Sequence, residues 1–221
     1  MDGAFEVDYR FHPEHGLAIV GDGYGAAVGL ADAYFDSADV VDFAVRNLTI
    51  GESQTVKGDL HRIAETVQAA FAERSEEAVV DLGILAIEDR TFTWTAVGTW
   101  MLLVRRAGRW SCVHPGDTLA HARTLHGMPT TELERRITIS GIHCHHGLMG
   151  KIYQLNGDIQ PGDCIALVSK GVWAGHRLPD LLNVFGRTPN DGRAIFDACI
   201  DDFDAELSRS RHPAMAWVPM P

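Results

Sequence analysis

Apolar positions along this chain change their spacing several times, and each change marks an element. LAIV at 17–20 is a short apolar run ending at Gly21 and reads as a strand. GDGYG follows as a glycine-rich turn. From Ala26 to about Val45, the residues Val28, Leu30, Ala31, Tyr34 and Phe35 recur at helical spacing, and the polar stretch from Asn47 to Gly58 reads as a loop. In LHRIAETVQAAFAERS, residues Leu60, Ile63, Val67, Ala70 and Phe71 line one helical face, with Asp59 placed to cap it.

Beyond residue 78 the texture turns to strand. VVDLGILAIEDRTFTWTAVGTWMLLVRRAGRWSCV is rich in Val, Ile, Thr and Trp, with turn signals at Glu88-Asp89-Arg90 and Ala107-Gly108. That predicts a meander of roughly three antiparallel strands without crossover helices. A short helix is expected at 131–136, then strands at 137–142, 152–156 and 164–169, the last introduced by Gln160-Pro161-Gly162-Asp163. Helices follow at 178–186 and 191–208, and a final strand at 214–220. This order is that of an α+β layer protein. With 221 residues, 46% of them hydrophobic, the chain is expected to form a single domain over 1–221.

Charge narrows the partners. The net charge of −11 carries no basic cluster, which argues against nucleic acid and anionic membranes. No apolar run reaches the roughly 18 residues of a membrane helix, and MDGAFEVDYR lacks a basic, then apolar, leader pattern. Cys112, Cys144, Cys164 and Cys199 are scattered, as buried thiols are. A cytoplasmic protein is expected.

The glycine-rich stretch admits two chemistries. GDGYGA at 21–26 matches the dinucleotide fingerprint, with Asp39 or Asp42 near the ribose-acid spacing, which suggests a dinucleotide-binding oxidoreductase. The antiparallel meander and the aspartate between the glycines speak against it. The other chemistry is a metal ion held through Asp22.

Five segments in order favour the second. GLAIVGDGYGAAVG (16–29), AVGTWMLLVRRAGRW (96–110), HPGDTLAHAR (114–123), LNGDIQPGDCIALVSKGVWAG (155–175) and RHPAMAWVPM (211–220) resemble segments of the type 2C metal-dependent protein phosphatases. The resemblance implies a four-layer sandwich of two antiparallel β-sheets flanked by helices. It also implies a binuclear Mn or Mg site built from carboxylates, whose hard oxygens suit such ions.

Against the family's metal ligands the chain keeps Asp8, Asp22 and the backbone of Gly23. Val7 replaces a glutamate. Thr99, Lys170 and His212 stand where the family has aspartates, and Pro213 where it has an asparagine. Lys170 would set an ammonium where a cation should bind. The expected function is therefore a pseudophosphatase, a non-catalytic or altered regulatory module that binds a protein partner or a phosphorylated ligand. The alternative is an enzyme: a metal-dependent phosphoserine or phosphothreonine hydrolase with a reduced or rebuilt metal site, keeping one metal on Asp8 and Asp22, or one doing altered chemistry with His212 and Lys170. Separately, HCHH at 143–146 would place His143 and His145 on one strand face as half of a zinc or copper site, with Cys144 and His146 turned away.

Overall fold

The computed structural model describes residues 7–12, 17–25, 43–44, 56–71, 78–131, 134, 137–173, 176–201 and 213–220. They belong to two compact units, Met1–Gly98 with Thr138–Asp158, and Thr99–Ile137 with Ile159–Pro221.

The first unit holds a seven-stranded antiparallel sheet. Its strands are β1 (Val7–His12), β2 (Leu17–Gly25), β3 (Ala78–Glu88), β4 (Thr91–Val97), β7 (Gly141–His143), β8 (Gly147–Met149) and β9 (Tyr153–Asp158). The path runs β1-β2-β3-β4-β9, and β7 joins β3 while carrying β8. Helix α1 (Val56–Phe71) buries Leu60, Ile63, Ala64 and Val67 against Ile19, Val80, Leu82, Ile84 and Ile142. Those helix positions repeat at three and four residues, so one apolar stripe meets the sheet.

The second unit holds a four-stranded antiparallel sheet ordered β11-β10-β5-β6, formed by β5 (Met101–Arg106), β6 (Arg109–His114), β10 (Cys164–Val168) and β11 (Met215–Pro219). Its helices are α2 (Leu119–Leu125), α3 (Lys170–Trp173), α4 (Leu178–Arg187) and α5 (Gly192–Asp201). Leu181, Val184, Phe185, Ile195 and Cys199 pack with Met101, Leu103, Ala166 and Val168. Thr131 and Glu134 form a reciprocal capping box: Glu134 N–H donates to Thr131 Oγ1, and Thr131 N–H to the Glu134 carboxylate.

Several expectations are corrected. GDGYG is strand, not turn. Gly21, Asp22, Gly23, Tyr24 and Gly25 pair with Leu82, Asp81, Val80, Val79 and Ala78 of β3. Glycine at every second position has the two-residue period of a strand, and the ladder satisfies this backbone as a phosphate otherwise would. The dinucleotide reading loses its loop. The predicted helix at 26–45 lies outside the described residues except for Phe43 and Ala44, which are helical. Helix α1 starts at Val56, so Asp59 lies within it rather than at its cap. The meander has four strands, and they divide between the two sheets. The strand expected at 137–142 is confined to 141–143, and Ile137 is exposed. Arg106, at the exposed end of β5, pairs with the buried Asp163.

Candidate functional site

In the first unit, β2 lies between β1 and β3, and Asp22 is buried near its end. Its partner across one ladder is Val7, and across the other Asp81. Asp8 pairs with Gly21, so Val7, not Asp8, stands opposite Asp22. Gly23 pairs with Val80.

Asp81 was not anticipated from the sequence. It is fully buried, and its only signal was a lone acid inside the apolar run VVDLGIL. The ladder thus sets two buried carboxyl-bearing residues directly opposite one another. Gly98, at φ +97°, closes over Asp81: a Cβ there would lie 2.1 Å from Asp81 Oδ1. The Gly98 N–H donates to Ser140 Oγ at 2.9 Å.

In the second unit, three altered positions distant in sequence come together. Ser169 ends β10, and its N–H donates to the Ala214 carbonyl at 3.0 Å. The Ala214 N–H returns to Ser169 Oγ at 2.9 Å, which fixes Pro213 beside the start of α3. Within α3, Trp173 Nε1 donates to the Thr99 carbonyl at 3.0 Å. Gly116, at φ +79°, lies so near that a Cβ would be 2.6 Å from that same carbonyl oxygen. Thr99 and Lys170 are 1% and 2% exposed. Lys170 is therefore a buried amine, not a surface one. His212 lies outside the described residues.

A buried histidine lies in the same unit. His114 Nδ1 is 3.2 Å from the Trp100 carbonyl. Burial pushes its pKa down to about 4; the carbonyl opposes this and His121 adds to it. Burial also lowers the pKa of His121, against the attraction of Asp117.

The HCHH stretch is not a strand. β7 ends at His143, and residues 144–146 form the turn into β8. His146, expected to turn away, instead brings its ring centroid within 4.6 Å of that of His143; the ring of His145 is 5.8 Å from it. The His145 N–H donates to His143 Nδ1 at 3.1 Å, and Gln68 Nε2 donates to the His145 carbonyl at 2.9 Å. These bonds give His143 a turn-capping role. Among the described residues, no group of three or more His, Cys, Asp or Glu is arranged to hold a metal ion. No helix among them is long and apolar enough to cross a membrane.

No protein-family model matches the chain, and no curated protein matches its sequence. Solved structures do match its fold. PppA of Pseudomonas aeruginosa, described as a key regulatory component of T6SS, is 17% identical, with TM-score 0.72 over 98% of this chain and 92% of that one. Stp1, a serine/threonine phosphatase of Staphylococcus aureus, is 11% identical, with TM-score 0.74 over 99% and 90%. The catalytic domain of the serine/threonine phosphatase PstP, solved with two manganese ions, is 14% identical, with TM-score 0.70 over 100% and 94%. The chain thus has the type 2C serine/threonine phosphatase fold, with two antiparallel sheets and flanking helices.

Proposed function

We propose that this chain is a type 2C-fold domain without two-metal chemistry, a pseudophosphatase that acts as a regulatory or binding module. Lys170 carries the reading. Its side chain is buried directly after Ser169, at the position where the sequence resemblance places a metal-binding aspartate. A protonated amine has no lone pair to give an ion, and it repels one. At 4 Å, two unit charges interact by roughly 4 kcal/mol at an effective dielectric near 20.

Thr99 and Pro213 remove further carboxylate or amide donors from the same region. A hard divalent ion takes about six oxygen ligands, so this donor set does not fit a binuclear Mn or Mg centre. Asp8, Asp22 and Gly23 persist at positions where the sequence resemblance places metal ligands. The manganese of PstP is accordingly not carried over to this chain.

The regulatory setting of PppA supports a protein partner, or a phosphorylated ligand, for this domain. The net charge of −11 argues against nucleic acid and anionic membrane, and a cytoplasmic location accompanies the reading.

Calorimetric titration of chelator-treated protein with Mn²⁺, alongside Lys170→Asp and Lys170→Met, tests the proposal. The expected result is no saturable binding by the unaltered chain or by Lys170→Met, and recovered affinity in Lys170→Asp. Saturable binding by the unaltered chain, with Mn²⁺-dependent phosphopeptide turnover that Asp22→Ala abolishes, would overturn it and restore the hydrolase alternative.

A further inference from the structure

We draw no further inference here: the strongest candidate, the cluster of three imidazoles in the turn between β7 and β8, carries no ligand site, because the His145 N–H already occupies the Nδ1 lone pair of His143 and no three His, Cys, Asp or Glu among the described residues are arranged to hold an ion.

Discussion

Ser169 and Ala214 hold each other by two hydrogen bonds, N–H to carbonyl at 3.0 Å and N–H to Oγ at 2.9 Å. The pair joins the end of β10 to the approach of β11 and sets Lys170 and Pro213 next to one another. Ser169→Ala removes the Oγ acceptor and leaves the Ala214 N–H without it. We expect a loss of about 1–2 kcal/mol in urea unfolding with an unchanged m-value. A loss below a few tenths would mean that the clamp does not hold this junction.

His114 makes the protein acid-sensitive. Its folded pKa of about 4 lies below the ordinary 6.5, so between those values the unfolded chain binds more protons than the folded one. Stability is fully present above pH 6.5 and falls as the pH drops toward 4. The span corresponds to about 3 kcal/mol. Denaturant midpoints measured from pH 7.5 to 4.5 should show this slope, and His114→Asn should remove most of it. An equal slope in the variant would assign the effect elsewhere.

Gly83 and Trp94 are coupled through space. A Cβ on Gly83 would meet Trp94 at 2.1 Å, and both sit inside the first unit, the indole fully buried. Gly83→Ala should cost about 1–3 kcal/mol by overpacking. In a Trp94→Leu background the same change should cost far less. Additive costs across that double-mutant cycle would show that the alanine is accommodated without pressing on the indole.

Asp163 closes the Gln160–Asp163 turn. Its Oδ2 accepts Arg106 Nε at 3.0 Å, Arg106 Nη2 at 2.7 Å and the Gln160 N–H at 2.9 Å. The Arg106 bonds foremost hold its carboxyl below the usual carboxylate range. The stabilisation is present above about pH 4 and disappears as the pH falls through the lowered folded value. Asp163→Asn should cost about 2 kcal/mol at pH 7. Its difference from the parent should narrow near pH 3, and a difference that stays constant with pH would exclude the ionic contribution.

The parts of the fold legible in the sequence were those with strong local signals. Helix α4 and strand β10 lie close to their predicted bounds, because helical periodicity and the Pro-Gly turn act over a few residues. GDGYG misled because glycine clusters usually mark turns. Its alternation with Asp22 and Tyr24 was the period-two signal of a strand, which pairs along its whole length with β3 and as far as Asp22 with β1. HCHH misled in the opposite direction: alternation suggested a strand, but Gly147, at φ +67°, belongs to a tight hairpin that gathers the rings.

The sequence by itself determined the chemistry on offer: a lysine at 170, a proline at 213, a threonine at 99 and an aspartate at 22. It also determined the α+β class, through periodicities that each segment carries alone. Only the tertiary structure decided that Lys170 is buried, that Val7 rather than Asp8 faces Asp22, and that Asp81 lies across from it. Burial and ladder register depend on which strands meet, a long-range property that no local pattern encodes.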